Sequence, residues 1–141
     1  MPVRTSTGTW HGSLKEGSGT VALGSGAFEG PYTFVSRFEE GPGTNPDELV
    51  GGALASCYSM FLANLLASAG SVPTRVHTEA RVHLGRDDVG PAITSIELVG
   101  RAEVPGITPE AFAEQAAAAK AGCPVSMALK AVEVTLDAQL A

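Results

Sequence analysis

The chain is poor in the residues that build metal and structural cross-link sites. It has only two cysteines, Cys57 and Cys123, 66 positions apart and with no CxxC arrangement. Its three histidines, His11, His77 and His83, are scattered, and no Cys/His cluster forms. A zinc site needs about four clustered ligands, so no metal is expected. Basic residues are also sparse: 9 Lys and Arg stand against 15 Asp and Glu, for a net charge of −6, and none of them cluster. Nucleic acids and anionic membranes both require a basic footprint, and neither is an expected partner. No Gly-x-Ser-x-Gly elbow occurs, and Gly41-Pro42-Gly43 is not followed by Lys-Ser/Thr, so hydrolase chemistry and a phosphate-binding loop are both unsupported. Met1 to Leu14 lacks the apolar stretch of a secretory signal, which leaves the cytoplasm as the expected compartment.

What is present describes a folded chain. Its 141 residues are 44% apolar and 17% charged, enough for one hydrophobic core and one domain over residues 1–141. Thr5 to His11, Gly19 to Gly24 and Pro31 to Phe38 are short, rich in Thr, Val and aromatic residues, and separated by glycine-containing turns, so they predict three antiparallel strands. A helix start follows: Asn45 can cap, Pro46 suits the first helical position, and Glu48 stands where a capping box places its carboxylate. Thr74 to Leu84 alternates apolar and polar residues as a half-buried strand does, and Ile93 to Val104 is its expected hairpin partner. Thr108-Pro109-Glu110 opens a second helix that ends at Gly122. One or two helical turns are expected over Pro124 to Lys130, and Ala131 to Leu140 closes as a strand.

From Leu49 to Val72 no residue is charged. That length raises the question of a membrane span. Gly51, Gly52, Ser56, Ser59, Asn64 and Ser68 dilute its hydrophobicity, acids precede it, and no basic flank anchors it, so a buried helix is expected instead. A helix apolar nearly all round must be covered nearly all round, and one small sheet covers one side. A second copy of the chain is the simplest cover for the other, which argues for a homodimer.

The two cysteines read differently. Steps of three and four place Val50, Leu54, Cys57, Phe61 and Leu65 on one apolar stripe, so Cys57 reads as a packed core residue whose burial makes it inert unless a cation reaches it. Cys123, between Gly122 and Pro124, reads either as a thiol at or just before the start of a helix, where unpaired N–H groups favour a thiolate, or as a small residue in a tight turn. On local physics Cys123 is the more acidic thiol. In a reducing compartment the pair is either inert or redox-active, and composition favours inert. Arg37 is the notable cation. It reads either as the partner of Glu39 and Glu40 at the surface, or as a guanidinium turned toward a thiolate or a peroxide oxygen. Asp47 and Glu48 suit a helix first turn. Along a straight helix Asp47 is about 15 Å from Cys57, too far to serve it as a base.

Together these residues resemble a known family. Arg37-Phe38-Glu39, Gly43-Thr44-Asn45-Pro46-Asp47-Glu48-Leu49 and Ala55-Ser56-Cys57-Tyr58-Ser59-Met60 are similar to the signature of the osmotically inducible protein C / organic hydroperoxide resistance family. Ala119-Lys120-Ala121-Gly122-Cys123-Pro124-Val125-Ser126 resembles its second cysteine segment, and Val104-Pro105-Gly106-Ile107 and Val134-Thr135-Leu136-Asp137 also match. An arginine on the third strand points to the osmotically inducible branch. The resemblance implies an α+β fold, with antiparallel strands wrapped around a long buried central helix in an intertwined homodimer. It implies Cys57 as the peroxidatic thiolate, Cys123 as the resolving thiol, and Arg37 as the activating cation. Asp47 takes the place of a glutamate that pairs with that arginine; the family usually has Glu-Glu or Glu-Gln where this chain has Asp47-Glu48.

The implied activity is reduction of organic hydroperoxides, with hydrogen peroxide a poorer substrate. The cycle would pass through a Cys57 sulfenic acid and a Cys57–Cys123 disulfide, with no metal or flavin. A dithiol or lipoylated protein would restore the thiols. The rival reading is a small-ligand or partner-binding module with inert cysteines.

Overall fold

The computed structural model describes Met1–Ala141 and divides into two compact units, Met1–Leu49 and Val50–Ala141. In the first unit, β1 (Ser6–His11), β2 (Ser18–Leu23) and β3 (Glu29–Tyr32) form an antiparallel sheet in the order β1-β2-β3. The first two strands fall where the Thr/Val pattern predicts. The third is displaced: the chain leaves the sheet after Tyr32 and turns into a five-residue helix, α1 (Phe34–Phe38).

This corrects the expected strand over Pro31 to Phe38, and the cause is local. Thr33 caps α1 by accepting the Ser36 N–H, while the Ser36 hydroxyl accepts the Thr33 N–H, a reciprocal capping box. Two side-chain bonds thereby satisfy backbone donors that a strand would have to pair elsewhere. Arg37 consequently lies in the last turn of a helix, not on a strand. Beyond α1, Gly43 has φ +108, and a Cβ there would come within 2.8 Å of the Pro31 carbonyl oxygen. Only glycine lets Thr44 return beside β3 and donate its N–H to Pro31.

Helix α2 (Pro46–Ser68) begins at the expected cap, with the Glu48 N–H donating to Asn45 Oδ1 at 2.7 Å. It is long and apolar enough to cross a membrane by length and composition, yet one face is core. Leu54, Tyr58, Leu62 and Leu66, each four residues after the last, are essentially inaccessible. They share a cluster with Ile96, Leu98 and Ala102 and with Phe112, Ala116 and Ala119. Each fully buried side chain of this size contributes about 1.5–3 kcal/mol. Cys57, Phe61 and Leu65 flank this stripe, half-buried. On the opposite face Gly52, Ala53, Ser56, Met60 and Asn64 are exposed, Met60 to 75%. Within one chain the helix is therefore covered on one side only.

The second unit carries the other sheet, β4 (Arg75–Arg86), β5 (Pro91–Glu103) and β6 (Glu133–Leu140), in the order β4-β5-β6. The β4–β5 hairpin is antiparallel, as the alternation predicts. β5 and β6 run parallel, from Ser95–Glu133 to Ala102–Leu140, so the sheet is mixed and the expectation of antiparallel strands holds only in part. The reason lies in the connection. A parallel return needs a long crossover, and α3 (Pro109–Gly122) with α4 (Pro124–Ala128) supplies it. Thr108 caps α3 and Pro109 opens it, as expected. The fold is α+β.

Candidate active site

Two pairs of side chains meet among the residues singled out from the sequence, one pair in each unit. Arg37 and Asp47 form a bidentate ion pair, with Nε donating to Oδ2 at 3.2 Å and an Nη to Oδ1 at 3.3 Å. The side chain of Asp47 is 10% exposed and that of Arg37 34%. The shorter aspartate thus reaches the arginine. Glu39 and Glu40 do not take part, so the surface ion pair weighed for Arg37 is not formed. The guanidinium also lies over the Phe38 ring, 5.4 Å from its centroid, which fixes its plane further.

Glu48 goes elsewhere. Its carboxylate accepts the Thr44 hydroxyl at 2.6 Å. It leaves Arg37 to Asp47 because residues 47 and 48 project from different faces of α2. The Ser36 hydroxyl donates to the Thr44 carbonyl at 2.7 Å, and the Asn45 side-chain amide donates to the Ser36 carbonyl at 3.0 Å. Ser36, Thr44 and Asp47 are all buried. Together these bonds tie α1 to the start of α2, and so hold Arg37 to Asp47. The Thr33-x-x-Ser36 spacing is visible in the sequence as a capping box; the Thr44–Glu48 bond has no such signature.

The second pair is the two cysteines. Cys57 on α2 and Cys123 at the α3–α4 junction lie with their sulfurs 2.8 Å apart, the Cys123 S–H donating to Cys57. Both are free thiols, and a bonded disulfide would stand at about 2.05 Å. Gly122 allows this approach: a Cβ there would come within 3.1 Å of the Phe61 ring, one turn along α2 from Cys57. The Cys123 N–H closes α3 on the Ala119 carbonyl, and its own carbonyl accepts from Met127 in α4.

The expectation that the helix start makes the Cys123 thiol acidic is overturned. Cys123 does occupy a helix start, where the N–H groups of Ser126 and Val125 favour a thiolate. It is also wholly inaccessible to solvent. Burial, followed by the hydrogen bond to Cys57, pushes its thiol above the ordinary range, and these effects outweigh the two N–H groups. Cys123 is therefore the protonated partner and Cys57 the acceptor. Tyr58, next to Cys57, faces the core, where burial pushes its hydroxyl up to about 12; it donates to the Ala116 carbonyl at 3.4 Å.

Similarity to known proteins bears on this pair. Residues 39–137 match the family described as OsmC-like protein. The chain is 50% identical to Peroxiredoxin OsmC of Escherichia coli (strain K12) over 132 residues, 93% of this chain and 92% of that one. It has the same identity and coverage with Peroxiredoxin OsmC of Shigella flexneri. Among solved structures it is similar to the organic hydroperoxide resistance protein OhrB of Bacillus subtilis, with a TM-score of 0.74 and 23% identity, over 96% of this chain and 98% of that one. An OsmC-like protein of unknown function from Vibrio cholerae superposes with a TM-score of 0.80 at 17% identity, covering 99% and 100% of the two chains. These two structures speak for the fold alone.

Proposed function

Because this chain belongs to the OsmC-like protein family, we infer that it is a thiol-dependent peroxidase that reduces organic hydroperoxides, with Cys57 as the attacking sulfur and Cys123 as the resolving thiol. The observation that carries the assignment of the cysteines is their contact: two free thiols 2.8 Å apart, the buried one donating to the other.

The reaction runs in three balanced steps. The Cys57 thiolate attacks the distal oxygen of the hydroperoxide and the O–O bond breaks. The alkoxide takes a proton and leaves as the alcohol, and Cys57 becomes a sulfenic acid. Cys123 then attacks the sulfenic sulfur. Its proton leaves with the hydroxyl as water, and a Cys57–Cys123 disulfide remains. A dithiol reductant, of free or lipoylated-protein type, restores both thiols by exchange and is itself oxidised to a disulfide. No prosthetic group enters these steps. Arg37 is the cation assigned to the developing negative charge, and Asp47 positions it through the bidentate pair. Glu48 acts only on the scaffold, through Thr44. A second copy of the chain is assigned to the uncovered face of α2 around Met60, and the cytoplasm is the compartment proposed for the reaction.

The test is a thiol count. Anaerobically reduced protein is treated with one equivalent of cumene hydroperoxide. Both thiols should disappear, with a mass decrease of about 2 Da for the two hydrogens lost on disulfide formation. Unchanged thiols would sink the reading.

A further inference from the structure

Gly122 is the last residue of α3 and directly precedes the buried Cys123. Two ordinary reasons for a glycine do not apply to it. Its φ is not positive, so the backbone there suits any residue, and alanine is the better helix former. What excludes a larger residue is a contact. An added Cβ would stand 3.1 Å from Cε1 and 3.4 Å from Cζ of the Phe61 ring, so the ring or the helix end would have to give by a few tenths of an ångström. Phe61 lies four residues after Cys57 on α2, and so on the same face of that helix. The buried stripe of α3 is Phe112, Ala116, Ala119 and Cys123, spaced four, three and four, and its alanines let α3 lie close. Tyr58, beside Cys57, donates to the Ala116 carbonyl. Helix α3 is thus held on α2 at two points, Tyr58 on Ala116 and Phe61 on Gly122. Cys123 follows the second point at once, its sulfur 2.8 Å from that of Cys57.

We propose that Phe61 is a positioning residue for the resolving step. Its ring, seated on Gly122, sets how closely Cys123 approaches Cys57, and so decides between disulfide closure and overoxidation. The proposal rests on the peroxidase reading and adds what governs its branch point. Once Cys57 is a sulfenic acid, two reactions compete. In closure the Cys123 sulfur attacks the Cys57 sulfur, the S–S bond forms and the S–O bond breaks, and the hydroxyl leaves with the Cys123 proton as water. In overoxidation the sulfenic sulfur attacks the distal oxygen of a second hydroperoxide, whose O–O bond breaks. The alkoxide takes a proton and leaves as the alcohol, and Cys57 becomes a sulfinic acid. Closure is intramolecular and depends on approach, whereas overoxidation depends on the hydroperoxide concentration and not on Cys123. A side chain at position 122 lifts the end of α3 off Phe61 and slows closure alone.

Closure is measured first without hydroperoxide, as the equilibrium of the Cys57–Cys123 pair with reduced and oxidised dithiothreitol, read by thiol alkylation and mass. Gly122→Ala should shift this equilibrium toward the thiols about tenfold, since about 1 Å of misplacement costs about a hundredfold. Gly122→Ala/Phe61→Leu, in which the ring is gone, should return it to the parent value. With cumene hydroperoxide, Gly122→Ala should reach half sulfinic Cys57 at a concentration lower by the same factor, and the double variant should again match the parent. An unchanged equilibrium in Gly122→Ala overturns the proposal. So does a loss that Phe61→Leu leaves undiminished, because the cause then lies in the backbone or in misfolding and not in the contact. If hydroperoxide leaves the thiols of every variant intact while the dithiothreitol equilibrium shifts and is restored, the peroxidase reading fails and the positioning by Phe61 stands.

Discussion

At the scale of single residues, the proposed chemistry rests on two contacts: Arg37 with Asp47, and Cys123 with Cys57. Asp47→Asn replaces one end of a bidentate ion pair and lets the guanidinium turn. Oxidation of Cys57 by hydroperoxide, followed by stopped flow, should slow about a hundredfold, the loss expected when a catalytic group is misplaced by about 1 Å. Closure of the disulfide from the sulfenic acid should keep its rate, which a general loss of structure would not allow. Cys57→Ser should abolish hydroperoxide consumption. Cys123→Ser should give one turnover and then overoxidised Cys57, seen as added oxygen by mass spectrometry.

The raised pKa of Cys123 has a consequence for stability. The folded protein holds this thiol protonated above its ordinary value of 9.0, whereas the unfolded chain ionises there. Its contribution is complete below about pH 9 and declines as pH rises through the folded pKa. The urea midpoint of the reduced protein should therefore fall as the pH rises above about 9, and Cys123→Ser should remove that part of the fall. Tyr58, pushed up to about 12 from 10.0, adds a loss of the same sign only at higher pH.

At the scale of elements, the short helix α1 holds its arginine only because its ends are satisfied. Thr33→Ala removes the cap and should cost about 1 kcal/mol, read as a lower urea midpoint. It should slow Cys57 oxidation as well, since Arg37 rides on this helix. Gly43→Ala meets both a positive φ and the Pro31 carbonyl, so it should destabilise more than the surface changes around it. In α2 the buried stripe is interchangeable only with side chains of similar volume. Leu62→Ala should cost about 2–5 kcal/mol, with thermal unfolding as the measure. The four-residue spacing of Leu54, Tyr58, Leu62 and Leu66 also explains why the sequence pattern set Cys57 on the core stripe: steps of three and four mix the buried row with its neighbour, where Cys57 lies half-buried.

At the scale of the whole molecule, one face of α2 is left uncovered within the chain. Gly52, Ala53 and Ser56 are small enough for another helix to approach, and Met60 stands exposed among them. If a second copy covers this face, sedimentation should show a dimer for the parent chain. Met60→Lys would place a charge in that contact and should shift the population to monomer at micromolar concentration. A parent chain sedimenting as a monomer would remove the dimer from the proposed function.

Local physical signals in the sequence determined most of the elements. Alternation gave β4, β5 and β6, and caps with proline gave the starts of α2 and α3, because these depend on neighbours along the chain. The cysteine motifs and the Asn45-Pro46-Asp47 segment were legible in the same way and led to the family. The end of the expected third strand became α1 for a reason equally local, the box closed by Ser36. Tertiary structure alone decided two things. It gave Arg37 to Asp47 and Glu48 to Thr44, since a helix sends adjacent residues to different faces. And it set the Cys123 thiol above, not below, the ordinary range. A helix start favours charge on Cys123, but burial against α2 opposes it more strongly, and burial is set by residues far away in sequence.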